Sequence, residues 1–335
     1  MPVVLDPVRS VRHNLAGKVL LNEPADGPAR ASDDKCIDIG LLNIMPDAAL
    51  ESTERQFLTL LSAAADDCWI RVSFFSMPEV PRSERAQNHL SQSYLDARSL
   101  RDADLDALIV TGTEPKAANL MDEPYWAALT NVIDWAEQHT ISTVWSCLAA
   151  HAAVLYLDDI ERKPVGAKCS GVFDFTTVGG HSLTNGLPPR IQIPHSRYNE
   201  LPEQDLTSGG YRVLSKSAKA GVDTFIKQSR SLFLFFQGHP EYEAQTLLGE
   251  YRRDIGRFLR RERDTYPNMP QGYFDDATAE LMNVFRLRAQ NNRNEKLLAQ
   301  FPGAAAELKL SNTWRPSAAA IYRNWLSYIA AQKAR

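Results

Sequence analysis

The chain has 335 residues with 37 Lys+Arg and 41 Asp+Glu, a formal net charge of −4. That length can bury a sizeable core without disulfide or metal support, and the mild acidity lacks the basic excess of a nucleic-acid or anionic-membrane binder. Its four cysteines contain no C-x-x-C pair, which argues against a zinc site or redox motif, and 44% hydrophobic and 23% charged residues describe an ordinary globular protein with a small-molecule partner.

Residues 1–35, punctuated by Pro24, Gly27 and Pro28, read as an extended polar arm. The start, M-P-V-V-L-D-P-V-R, has no apolar core of a secretory signal, so the expected location is the cytoplasm. Residues 36–335 read as a single domain. I-D-I-G-L-L-N-I (37–44) predicts a buried parallel strand, Glu51 to Ala63 a helix, and W-I-R-V-S-F-F (69–75) the next strand. A polar crossover follows, then the strand L-D-A-L-I-V (105–110) ending in T-G-T-E-P, and a helix from Pro124 to His139. Thr140 to Leu157 carries no charged residue, but its composition changes at Cys147 from β-branched to helix-forming. It therefore reads as a buried strand running into a buried helix and not as a membrane span. Short strand-like pieces fill 171–238 and predict an antiparallel extension of the sheet; helices are expected over 243–261, about 278–300 and 316–333. The alternation is that of an α/β fold, an open and mostly parallel sheet flanked by helices, with further helices at the C-terminus.

Cys147 falls where the strand becomes the helix, a position that exposes a side chain and favours a thiolate at the helix N-terminus. The backbone N–H of Leu148 is there a candidate oxyanion donor. The segment alone is equally compatible with an inert core cysteine. A second signal is G-H-P-E-Y (238–242): residues i and i+2 of an extended segment point the same way, so the Glu241 carboxylate can hold one nitrogen of His239. Alone it could be a surface turn with an incidental histidine. Together the two supply the Cys-His-acid set of nucleophilic catalysis.

L-L-N-I-M-P, E-R-Q-F, I-V-T-G, P-Y-W, the Cys147 elbow, K-C-S-G-V, P-H-S-R-Y, G-H-P-E-Y-E-A-Q-T-L and N-W-L-S-Y occur in the order found in one family. Over about 37–265 and 314–328 the chain resembles the homoserine O-acyltransferases of methionine biosynthesis, the succinyltransferase type on the class I glutamine-amidotransferase-like fold. The resemblance implies Cys147 as acylated nucleophile, His239 as proton acceptor, Glu241 as its partner, and Lys168, Ser196 and Arg253 at substrate-contacting positions. In P-H-S-R-Y, His195 and Arg197 are equal candidates from the sequence, and the stripe Leu248, Tyr251, Ile255 puts Arg253 on the opposite helix face. Two departures stand out. Asp47 occupies the place of a lysine common after M-P, and Lys116 takes the position associated with acyl-CoA choice, where the family has glycine or glutamate. The stretch 271–310 is longer than expected and reads as a helical insertion, with Phe285, Leu287 and Leu297 available to cap the site or to form a homodimer.

The resulting expectation is a ping-pong O-acyltransferase, with acyl-CoA as co-substrate and a hydroxy amino acid as acceptor. It needs no bound cofactor, metal, nucleic acid or membrane. Lys116 inclines the donor to succinyl-CoA; acetyl-CoA as donor and L-serine as acceptor stay open. Two other classes remain, a glutamine amidohydrolase with the same triad and a binding module with an inert Cys147.

Overall fold

A computed structural model describes Val3–Leu5 and residues 36–335 except Asp67. The strands are β1 (Val3–Leu5), β2 (Cys36–Leu42), β3 (Trp69–Ser76), β4 (Tyr94–Asp96), β5 (Ala107–Val110), β6 (Ser142–Ser146), β7 (Lys163–Thr177), β8 (Arg190–Glu200), β9 (Arg212–Val213), β10 (Ser215–Ser217), β11 (Gly221–Val222), β12 (Thr224–Gln228) and β13 (Leu232–Phe236). The helices are α1 (Leu50–Ala64), α2 (Glu84–Ser93), α3 (Trp126–His139), α4 (Leu148–Asp158), α5 (Glu203–Ser208), α6 (Thr246–Leu259), α7 (Asp276–Asn291), α8 (Gly303–Glu307) and α9 (Arg315–Lys333).

The main sheet has the order β1-β3-β2-β5-β6-β13-β12-β9, with β4 also on β3. Pairing is parallel from β1 to β13 and antiparallel from β13 through β12 to β9. The period-2 pattern of a doubly covered sheet is explicit in β5. Ala107 and Ile109 join the apolar cluster beneath α1 and α9, while Leu108 and Val110 join the one beneath α3 and α4. Of the expected arm, only Val3–Leu5 lies among the described residues, as a strand parallel to β3.

Three features differ from the sequence reading. The strand pieces expected over 171–238 do not all extend the sheet: β7, β8, β10 and β11 form a separate antiparallel sheet, and of the antiparallel strands β12 and β9 continue the main one. The polar crossover contains α2, whose only buried residue is Ala86, so it lacks an apolar stripe to announce it. In the insertion, Phe285 and Leu297 are buried against Leu248, Tyr251, Ile255 and Phe258 of α6, whereas Leu287 stays 58% exposed. The charge-free run does split at Cys147, into β6 and α4, and among the described residues no helix is long and apolar enough to cross a membrane.

Candidate active site

In a parallel sheet the loops leaving the carboxyl ends of adjacent strands form a crevice. Here β5, β6 and β13 are neighbours, with Val110 opposite Trp145 and Phe236 opposite Ser146. The loops after them bring Gly112, Cys147 and His239 together. Cys147 is the N-cap of α4 at φ 51°, ψ −111°, a backbone state that a residue with a Cβ rarely holds. Its N–H is fixed by the carbonyl of Phe236 at 2.7 Å. Gly112 permits the crowding opposite: a Cβ there would lie 3.1 Å from the N of Leu148 and 3.2 Å from the Cβ of Cys147. As the first residue of α4, Leu148 has an N–H with no acceptor inside the helix.

Beyond β13, Gly238 lets the chain pass between buried polar groups. A Cβ on it would stand 2.6 Å from Nε2 of His195 and 2.7 Å from Oδ1 of Asp223. The Gly238 N–H donates to Asp223 at 2.7 Å and that of His239 to the Pro194 carbonyl at 2.8 Å. His239 and Glu241 are 6% and 4% exposed, and Nδ1 of the ring lies 2.8 Å from the carboxylate. Cys147 is the other group that acts on the ring. Burial by itself would push the His239 pKa down; the charges of Cys147 and Glu241 outweigh it and hold the pKa well above the usual imidazole value. Tyr242 stacks on the imidazole at 4.1 Å between centroids, at 14°.

Lys168, Ser196 and Arg253 converge on one face of α6. Lys168 lies within a register irregularity of β7 between Pro164 and Cys169, the kind of bulge that re-aims a side chain. Its ammonium donates to Asp254 at 2.9 Å and lies 3.7 Å from Glu250. Ser196 donates to Glu250, and Tyr242 donates to the same carboxylate at 2.7 Å. Glu250 thus joins Ser196 to the ring that stacks on His239. The Asp254 pKa is held down: burial raises it, and Lys168, Arg253 and Arg257 more than offset that. Arg253, with a 42% exposed side chain, sits at the rim, 3.5 Å from Asp254. The face of the helix opposite its apolar stripe is therefore the one that meets Lys168 and Ser196. Arg257, one turn on, clamps Glu114 with two bonds of 3.0 Å. An open groove lined by Tyr198, Arg257 and Arg263 adjoins this cluster.

His195 and Arg197 point the other way on β8, into the core at 0% and 4% exposure. Arg197 donates to the His195 ring at 3.2 Å and to the carbonyls of Asn199 and Ala220, so both support the strand and do not face the cleft. Lys116 is exposed, and its backbone N–H is bonded to Glu123. Glu250, Asp254 and Arg257 were not singled out in the sequence; their i, i+4, i+7 spacing along α6 was the available signal.

A family model described as homoserine O-succinyltransferase matches residues 18–335, running through the 271–310 stretch that the motifs leave out. The chain is 46% identical over 305 residues to a homoserine O-succinyltransferase of Rhodopseudomonas palustris, covering 91% of this chain and 92% of that one. It is 47% identical over 292 residues to the protein of that name from Methylorubrum extorquens, covering 87% of each. A crystal structure of a glutamine amidotransferase from Methylobacillus flagellatus shares the fold alone, with a TM-score of 0.50 and 14% identity over 88% of this chain and 95% of that one. By a family match over nearly its whole length and relatives at almost half identity, the chain belongs to the homoserine O-succinyltransferase family.

Proposed function

We propose that the protein transfers a succinyl group from succinyl-CoA to the hydroxyl of homoserine, a step of methionine biosynthesis, through a thioester on Cys147. The observation that carries this reading is the strained Cys147 at the mouth of the sheet, acting electrostatically on a His239 that is held by Glu241. The raised His239 pKa favours the imidazolium form of the ring that partners Cys147.

The Cys147 thiolate attacks the acyl-CoA carbonyl carbon, and the tetrahedral oxyanion takes a hydrogen bond from the Leu148 N–H. Collapse breaks the bond to the CoA sulfur, which leaves with the proton of His239. Neutral His239 then removes the proton of the acceptor hydroxyl as its oxygen attacks the thioester. The second collapse expels the Cys147 thiolate and restores the imidazolium. Glu241 keeps the ring oriented in both halves. An amino-acid acceptor is a zwitterion, and the α6 face offers both signs, with Arg253 and Lys168 for its carboxylate and Glu250 for its ammonium. The adjoining groove, lined by Tyr198, Arg257, Arg263, Thr265 and Glu262, sets an aromatic ring and two guanidinium groups against one carboxylate, and a phosphorylated nucleotide such as CoA would use the ring and the guanidinium groups.

The test is turnover of purified protein with succinyl-CoA and L-homoserine, scored by CoA thiol release and by the mass of the product. O-Succinylhomoserine is the expected product. Turnover only with L-serine or only with acetyl-CoA, or ammonia released from glutamine, would contradict the reading.

A further inference from the structure

Arg162 and Tyr125, which act on one another electrostatically, make no side-chain hydrogen bond among the described residues. Arg162, just beyond the helix that Cys147 caps, is half-buried, and among the described residues its guanidinium makes no hydrogen bond or ion pair. The hydroxyl of Tyr125 is shut off from solvent, the residue being 5% exposed, and no hydrogen-bond partner reaches it. A buried hydroxyl is ordinarily hydrogen-bonded, and a half-buried guanidinium free of any carboxylate bond is available to an anion. The groups acting electrostatically on Arg162 are Tyr125, Cys147 and Glu123, so the guanidinium shares the electrostatic surroundings of the sulfur. Glu123 is otherwise engaged: one of its carboxylate oxygens accepts the backbone N–H groups of Lys116 and Ala117.

A cation and a hydroxyl donor without acceptors call for an anion with several acceptor atoms. A carboxylate at the far end of an acyl chain on Cys147 is such an anion. We propose that Arg162 and the Tyr125 hydroxyl together hold the distal carboxylate of a dicarboxylic acyl group, and that Arg162 thereby selects the acyl donor. The planar guanidinium suits two-point binding of a carboxylate, whereas the ammonium of Lys116 is exposed at the loop surface. The loop of Lys116 acts indirectly, through its backbone bonds to Glu123 in the same corner. The proposal rests on the acyl-enzyme reading above.

The test compares the first half-reaction, CoA release without acceptor, for succinyl-CoA and for butyryl-CoA, which has the same chain length and no carboxylate. In Arg162→Gln the ratio of kcat/KM for succinyl-CoA over that for butyryl-CoA should fall about ten- to a hundredfold. Tyr125→Phe should lower it less, Arg162→Lys should recover part of it, and Lys116→Ala should change it less than Arg162→Gln does. Reaction with butyryl-CoA serves as the control for folding. An unchanged ratio in Arg162→Gln, or a collapse in Lys116→Ala instead, overturns the assignment while leaving the acyl-enzyme reading intact. Failure of the wild type to form a thioester with either donor removes both.

Discussion

The backbone of Cys147 is bent at φ 51° in a state that costs of order 1–3 kcal/mol for a residue with a Cβ. Glycine tolerates that conformation, so Cys147→Gly should be more stable than Cys147→Ala by about 1 kcal/mol, although both lose transfer. Denaturant unfolding of the two variants measures the difference; equal stability would mean that the bend carries no strain. For His239→Ala the expected loss is about 10²–10⁴ in kcat/KM, with Glu241→Gln less affected because it keeps an acceptor for Nδ1. The raised His239 pKa also has a consequence for stability. A proton bound more tightly in the folded state stabilises it fully below the ordinary imidazole value of 6.5, and this contribution is lost as the pH rises through the folded pKa. Melting temperatures of wild type and His239→Gln should therefore converge on the alkaline side, and a gap that widens there would contradict the pairing.

At the scale of elements, α6 has two faces. Leu248, Tyr251, Ile255 and Phe258 pack on the insertion, while Glu250, Asp254 and Arg257 meet Lys168, Ser196 and Glu114. Lys168→Met leaves the Asp254 carboxylate, only 5% exposed, without its main partner. The expected cost approaches the roughly 3–5 kcal/mol of a broken buried pair, reduced because Arg253 and Arg257 remain. Asp254 has a depressed pKa, so its contribution is present above the ordinary value of 3.8 and lost as the pH falls through the folded pKa. Lys168→Met should accordingly flatten the acid limb of the stability profile, and chemical denaturation from pH 3 to 7 reads this. The apolar face of α6 was legible from its spacing. Its polar face was not, because a charged stripe carries no information about what packs against it. The register irregularity that turns Lys168 inward is equally silent, since no side-chain pattern in 163–169 announces a bulge. The juxtaposition of Cys147, His239 and Glu241 was legible because strand, elbow and G-H-P-E are local in sequence, and a parallel sheet brings such strand ends together without further instruction.

On the scale of the whole molecule, the C-terminal helix braces the site from behind the sheet. Trp325, fully buried, donates through its indole N–H to Ser142 of β6 at 2.8 Å, and Ser142 in turn donates to the Leu232 carbonyl of β13 at 2.6 Å. Tyr322 stacks on Phe236, and Arg315 reaches the carbonyls of Glu241 and Tyr242. Trp325→Ala should cost about 3–5 kcal/mol and reduce turnover in step with the folded fraction. A kcat per folded molecule that falls much further than stability would show a direct part in the chemistry. That N-W-L-S-Y lies under β6 and β13 could not be read from periodicity, because a buried helix advertises its apolar face and not its neighbour. The second sheet was hidden for a similar reason: β7 and β8 alternate as any antiparallel pair does, and only their pairing with β10, and not with β12, separates them from the main sheet. The central claim, a thioester on Cys147, is tested most directly by intact mass after mixing with succinyl-CoA and no acceptor. The account predicts a single succinyl adduct, labile to hydroxylamine, discharged by homoserine and absent in Cys147→Ala. A hydroxylamine-labile adduct that persists in Cys147→Ala, or turnover without any adduct on Cys147, would contradict it.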